Sequence, residues 1–203
     1  MNESSVVGRS VRILLGGGIG AGKTIAGRRF AVHGFTVVEA DRLGHEILEP
    51  GGAAFNDVVE RWPEALVDGR IDRSVLAAIV FSDAALLGEL ERMTHPHIVR
   101  RITQLGGESD RIVVEVPLLL EPEGEWTRVY VTAPLPIRRD RAIGRGSTPR
   151  DVDLRMERQA DAESWAEWAD ETIINDGTIE NLEQEVDALW RRLRTTFDGR
   201  ATP

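Results

Sequence analysis

The chain predicts an α/β fold, a parallel sheet with helices on both faces, and three observations carry the prediction. Short apolar runs, each closed by a turn signal, alternate with helical stretches, which is the pattern of strands buried on both sides. The first run ends in Gly16-Gly17-Gly18 and leads straight into a helix. After the second run, roughly 60 residues read as mostly helical, longer than an ordinary crossover, so an inserted helical region is expected there.

Taken in order, residues 11–15 (VRILL) read as a buried strand closed by the glycines. Residues 24–33 read as a helix with Gly34 as its stop, and 35–38 (FTVV) as a second strand with Glu39-Ala40-Asp41 at its carboxyl end. Residues 42–102 are mostly helical, broken at Pro50-Gly51-Gly52 and Asp68-Gly69. Residues 112–116 (IVVEV) form a strand stopped by Pro117, and 128–131 (RVYV) form another. Helices follow at 135–145 and 151–169, then a short strand at 172–174, the turn Asn175-Asp176-Gly177, and a closing helix at 180–193. There are no repeats and no low-complexity segment.

The bulk composition bounds the function. At 203 residues the chain holds one compact domain with a full core, with room for small subdomains. Hydrophobic residues at 41% and charged residues at 29% are ordinary for a globular protein. A net charge of −9 lacks the basic footprint of a nucleic-acid binder, so an anionic ligand needs a local positive site. No cysteine is present, which removes disulfides and thiolate chemistry. Met1 to Ser10 is short and polar, and no apolar stretch approaches the ~20 residues of a membrane span. No nucleic-acid or membrane partner is expected, the expected location is the cytoplasm, and no feature of the pattern specifies an oligomeric state.

Of the 25 basic residues, 24 are arginine and one, Lys23, is lysine. Gly17-Gly18-Ile19-Gly20-Ala21-Gly22-Lys23-Thr24 fits G-x-x-x-x-G-K-[ST] at every fixed position, and holds that single lysine where a compact ammonium is required. A chance match in a chain of this length is on the order of one per cent at average residue frequencies. The motif lies after a strand and before a helix, the context of a phosphate-binding loop (P-loop). The glycines let successive backbone N–H groups turn toward the β-phosphate at a positive helix end. Lys23 is then expected to bridge the β- and γ-phosphates and the Thr24 hydroxyl to ligate Mg²⁺. ATP and Mg²⁺ are the expected nucleotide and metal, and Gly18, Gly20, Ala21, Gly22, Lys23 and Thr24 the residues that hold them. The plainer alternative is a glycine-rich turn with no ligand.

Ligands of open parallel sheets sit at the carboxyl ends of strands, so Asp41, just after the second strand, is expected to face the phosphate loop. A carboxylate there orients or deprotonates an acceptor hydroxyl; the plainer alternative is a helix N-cap. Glu39 is a weaker candidate. Between positions 138 and 158 stand seven arginines (138, 139, 141, 145, 150, 155 and 158) against four acids. Arg141 and Arg145 are one turn apart on one helix face, suited to the same phosphates on a lid that excludes water. Arg138, Arg139 and Arg158 read instead as a solvated face. His95, before Pro96, and Pro117-Leu118-Leu119 at a strand end fit either a site or ordinary packing. The five tryptophans, including Trp165 and Trp168 three apart, read mostly as packing.

The order GGIGAGKT, V-x-x-AD, EPGG, HP, VEVPLLLE, R-x-x-x-R, Q and NDG resembles the dephospho-CoA kinase family. The likeness runs from residue 13 to residue 190. It implies a P-loop NTPase-type three-layer αβα fold with a helical substrate-binding insertion and a helical lid. The three parts are a nucleotide-binding core (10–45, 108–140 and 170–203), an acceptor-binding region (46–107) and a lid (141–169). The implied reaction is ATP-dependent phosphorylation of the ribose 3′-hydroxyl of dephospho-CoA, the last step of coenzyme A biosynthesis. By matching position, Asp41 is the base, Lys23 and Arg141 act with it in catalysis, and Arg145, Asn175 and Gly177 border ATP. His45, His95, Pro117, Leu118 and Leu119 hold the acceptor. Four positions depart from the family pattern: His45 stands where arginine is usual, Glu39 where aspartate is, and Ala162 and Trp165 where basic residues are. Two other readings stay open: a diverged P-loop kinase for another nucleotide-like small molecule, and an ATP-binding regulatory pseudo-kinase.

Overall fold

The computed structural model describes residues 10–157, 159 and 161–199; the polar N-terminal residues 1–9 lie outside the described residues. Five strands, β1 (Val11–Gly16), β2 (Thr36–Glu39), β5 (Arg111–Val116), β6 (Thr127–Thr132) and β7 (Glu171–Ile174), form one sheet in the order β2-β5-β1-β6-β7. β1 runs parallel to both neighbours, with Ile13 opposite Val113 and Thr127, and β7 runs parallel to β6. β1 and β5 are nearly continuous runs of buried residues and β6 is buried at Val129, Tyr130 and Val131, while β2 and β7 at the edges are half exposed. That contrast is what a parallel sheet covered on both faces requires.

Alternation along the strands assigns the layers. Val11, Ile13, Leu15, Val129 and Val131 share one core with Phe30 of α1 (Lys23–Val32) and with Leu182, Val186, Leu189 and Trp190 of α9 (Ile179–Gly199). The spacing of those α9 residues places them on one helical face. An ion-paired cluster joins the same two helices: Asp187 accepts from Arg29 Nε and Nη2 at 2.6 and 2.5 Å and bonds His33 Nε2 at 2.8 Å. On the opposite face, Trp165 of α8 (Ala162–Trp168) stacks on Tyr130 at 5.7 Å, and Gly106 of α5 (Ala84–Glu108) lies against Trp126 and Arg12. The result is three layers, helix, sheet and helix.

The chain divides into two compact units: residues 1–38, 105–120 and 124–203 hold the sheet, and residues 39–104 with 121–123 form the second. The boundary falls at Glu39, so Asp41 and His45 belong to the second unit, while the sequence placed them at the end of the core. No separate unit corresponds to 141–169; α6 (Leu135–Gly144), α7 (Pro149–Glu157) and α8 belong to the sheet unit. The expected helix over 151–169 is interrupted because Asp161 caps α8, its carboxylate accepting from Ser164 N at 2.7 Å.

The second unit has its own core. Ile47, Val58, Trp62, Ile71, Leu76 and Val80 are gathered from α2 (Ala40–Glu46) and its C-cap, α3 (Phe55–Arg61), α4 (Arg73–Val80) and the segment between. That segment contains a two-residue hairpin, β3 (Leu66–Val67) with β4 (Arg70–Ile71), at the Asp68-Gly69 break. Asp68 and Gly69 both have positive φ, 50° and 76°, the conformation that closes so tight a hairpin. No helix among the described residues is long and apolar enough to cross a membrane.

Candidate active site

The loop from Gly17 to Gly22 connects β1 to α1 and is held against the sheet unit by its neighbours. Gly22, the N-cap of α1, has φ 109°, and a Cβ there would lie 2.3 Å from Asn175 Nδ2. At Gly20, φ is 74° and a Cβ would meet the Arg138 carbonyl oxygen at 2.1 Å. Glycine is demanded at both positions by backbone conformation and by space. Ala21, buried between them, has its carbonyl taken by Asn175 Nδ2 at 2.8 Å. Lys23 curls back over the loop, Nζ donating to Gly17 O at 2.5 Å and to Gly18 O at 3.4 Å.

Thr24 opens α1 beside an acid that sequence reasoning passed over. Its hydroxyl donates to Glu115 Oε2 at 3.2 Å, and Glu115 is buried in β5. A lone acid inside the apolar run IVVEV was the signal available for it. The absent Cβ of Gly27 makes room, since one built there would lie 2.5 Å from Glu115 Oε1.

Helix α6 brings one arginine to the loop and another to the turn that supports it. Arg141 spends its guanidinium on the 175–177 turn: Nη1 donates to Asn175 O at 3.0 Å, and Nη2 to Asn175 Oδ1 and Gly177 O, both at 3.3 Å. Asn175 thereby links Arg141 to the phosphate loop. Arg138, read from sequence as solvated, is half-buried on the loop, with Nε donating to Ile19 O at 3.0 Å and Nη2 to Gln159 Oε1 at 3.0 Å. Burial lowers the pKa of its guanidinium from the ordinary value. The periodic signal existed, since 138, 141 and 145 share a helix face. Arg139 does face away, in a bidentate pair with Asp153 at 2.7 and 3.0 Å. Arg145 is exposed at the C-cap of α6, and Arg158 lies outside the described residues.

The aromatic departure also has a structural reason. Trp165 is buried on Gly16, where a Cβ would lie 2.2 Å from its ring, and meets Trp168 edge-on at 5.2 Å. Trp168 Nε1 donates to Leu120 O at 3.3 Å. Pro117, Leu118 and Leu119 follow β5, the two leucines partly exposed, before the chain turns inward at Leu120.

In the second unit, Asp41 is exposed in the first turn of α2. Glu39, not Asp41, is the N-cap of that helix, and the Asp41 side chain makes no hydrogen bond or ion pair among the described residues. The capping explanation for this aspartate is thereby removed. His45 is exposed in the last turn of α2, and His95 is partly buried in α5 ahead of Pro96. A cavity of about 290 Å³ opens between α2 and α5, lined by Leu43, Ile47, His97, Arg100, Arg101 and Gln104 among others. Its α5 residues recur at i, i+3, i+4 and i+7, one helical face, a pattern legible in the sequence but not used. The structure therefore gathers Gly18, Gly20, Ala21, Gly22, Lys23, Thr24, Arg141, Asn175 and Gly177 within the sheet unit, and holds Asp41, His45 and His95 in the other.

Residues 11–181 match the family model described as dephospho-CoA kinase. The chain belongs to the dephospho-CoA kinase family. It is 32% identical over 199 residues to the dephospho-CoA kinase of Thermobifida fusca, covering 94% of this chain and 100% of that protein. To the dephospho-CoA kinase of Methylococcus capsulatus it is 36% identical over 186 residues, covering 88% and 94%. The crystal structure of TT1252 from Thermus thermophilus superposes with a TM-score of 0.74 at 28% identity, covering 91% of this chain and 98% of that one. Membership of the family makes the chain a P-loop kinase, with ATP as nucleotide substrate and a small molecule as acceptor. Sequence reasoning did not single out Glu115 beside Thr24 in the sheet unit, nor His97 and Arg100 in the cavity of the second unit, and it read Arg138 as solvated.

Proposed function

We propose that this chain transfers the γ-phosphoryl group of ATP to the ribose 3′-hydroxyl of dephospho-CoA, giving ADP and coenzyme A. One observation carries the reading: a glycine loop that tolerates no side chain at 20 or 22 presents Lys23 and Thr24 at the start of α1, in a member of this family. Lys23, released from the Gly17 and Gly18 carbonyls, neutralises the β- and γ-phosphates, and Gly18 to Gly22 supply backbone N–H groups. Asn175, Gly177, Arg141 and Arg145 border the nucleotide. Asp41, exposed and uncommitted among the described residues, serves as the general base. Residues 141–169 act as the lid and 46–107 as the acceptor region, with the protein in the cytoplasm.

The oxygen set at Thr24 and Glu115 fits Mg²⁺, which prefers hard oxygen ligands and keeps several waters. When bound there, Mg²⁺ supplies charge neutralisation on the phosphates. His45, His95 and Pro117 to Leu119 contact the acceptor. The second unit's cavity, with His97, Arg100 and Arg101 beside Leu43 and Ile47, suits a ligand with both anionic and apolar parts, as dephospho-CoA has. The test is ADP release with dephospho-CoA beside nucleosides, nucleoside monophosphates and pantetheine compounds. Turnover on dephospho-CoA well above every other acceptor supports the reading; preference for a different acceptor rejects it.

A further inference from the structure

The mouth of the phosphate loop contains an arrangement that neither the family match nor the expected site residues explain. Two donors converge on a single neutral oxygen: Ile19 N at 2.9 Å and Arg138 Nη2 at 3.0 Å both bond Gln159 Oε1. The guanidinium is fixed from behind, since Nε donates to Ile19 O at 3.0 Å. It lies directly over Gly18, where a Cβ would come within 1.8 Å of Nη2. Lys23 Nζ donates to the carbonyl of the same glycine at 3.4 Å. Arg138 is half-buried with no carboxylate partner among the described residues, and its pKa is lowered by desolvation.

A half-buried cation without a counter-charge is costly, and donors that converge on one oxygen define an oxygen-binding position. A carboxamide oxygen fills that position weakly. A phosphoryl oxygen would fill it with charge-assisted hydrogen bonds about twice as strong. We propose that Arg138 is a catalytic residue: with Ile19 N–H it binds an oxygen of the transferred phosphoryl group, and Gln159 holds the position until ATP arrives. This rests on the ATP-kinase reading above. In the step itself, the bond from the γ-phosphorus to the β,γ-bridging oxygen breaks and a bond to the acceptor oxygen forms. The acceptor proton passes to Asp41 and ADP leaves. Arg138 accepts no atom; it offsets the charge on the moving group, as donors to developing charge do elsewhere.

The test uses the full chain carrying Arg138→Gln, which keeps length and polarity, and Arg138→Lys, which keeps charge without the fork. Calorimetric titration with ADP and with a non-hydrolysable ATP analogue needs no acceptor, and circular dichroism confirms folding. Arg138→Gln should bind ADP within about two-fold of the parent, bind the ATP analogue roughly ten-fold more weakly, and lose about 10²–10³-fold in kcat. Arg138→Lys should recover part of the loss. Gln159→Ala, which vacates the position, should bind the ATP analogue at least as tightly as the parent. Equal weakening of ADP and ATP analogue in Arg138→Gln, or kcat within about three-fold of the parent, overturns the inference while leaving the kinase reading intact. A parent chain that binds no adenine nucleotide overturns both.

Discussion

Asn175 ties the phosphate loop to Arg141, and replacing it with alanine has an outcome that follows from its contacts. The side chain is 4% exposed. Its Nδ2 donates to Ala21 O at 2.8 Å, and its Oδ1 accepts from Arg141 at 3.3 Å. Asn175→Ala leaves the buried Ala21 carbonyl without that donor, a penalty of about 1–3 kcal/mol. The Arg141 bond at 3.3 Å is long, and two backbone acceptors remain to that guanidinium, so its loss adds little. At roughly 2–4 °C per kcal/mol for a chain of this size, Tm should fall by about 2–12 °C in a calorimetric scan. ATP affinity should fall about ten-fold, because Ala21 lies in the middle of the loop whose N–H groups must stay aimed at phosphate. A Tm within about 1 °C of the parent together with unchanged ATP affinity would refute the claim that Asn175 sets the loop.

Three further outcomes are expected. Lys23→Ala should fold normally and lose about 10²–10³-fold or more in turnover, since it removes the charge proposed above to neutralise the transferring group; near-parental turnover would sink the loop assignment. Asp41→Asn should leave ATP affinity almost unchanged in titration while cutting kcat roughly 10²–10⁴-fold, the size of a general-base contribution. Asp187→Asn should lower Tm by several degrees at neutral pH. Its carboxylate is held well below the usual range, first by the Arg29 hydrogen bonds and then, against the cost of burial, by His33 and the Arg29 charge. Because the folded value is depressed, this stabilisation is present above the unfolded value of about 4 and is lost progressively as pH falls from there through the much lower folded value. The Tm gap between parent and variant should therefore hold down to pH ~5 and narrow steadily as the pH is lowered below ~4, and a gap that closes between pH 8 and 6 would contradict it.

The sheet was legible because each strand carries its own signal. IVVEV and VRILL are apolar throughout, as strands covered on both faces must be, and their neighbours are separated by glycine, proline or aspartate turns. The phosphate loop was legible because glycines at 20 and 22 are dictated by backbone geometry, which no other residue type meets. The β3–β4 hairpin was less visible: Asp68-Gly69 was read as a break in helix, and strands of two residues are too short for periodicity to register. Arg138 was misjudged for a different reason. In sequence it is one of seven arginines, and only the tertiary approach of α6 to Gly18 and Ile19 separates it from Arg139, one residue on, which pairs with Asp153. The departure at Trp165 is explained in the same way, since a ring stacked on Tyr130 and seated on Gly16 is a packing solution no local pattern announces.

What the reaction turns on is the identity of the acceptor, the ribose 3′-hydroxyl of dephospho-CoA. Its most direct test is incubation of the purified chain with γ-³²P-labelled ATP, Mg²⁺ and dephospho-CoA, followed by isolation of the product and treatment with a 3′-specific nucleotidase. Label should appear in a product that co-migrates with coenzyme A and should be released entirely by the 3′-nucleotidase. Label retained after that treatment, or label released from ATP as inorganic phosphate at the same rate with and without dephospho-CoA, would contradict it.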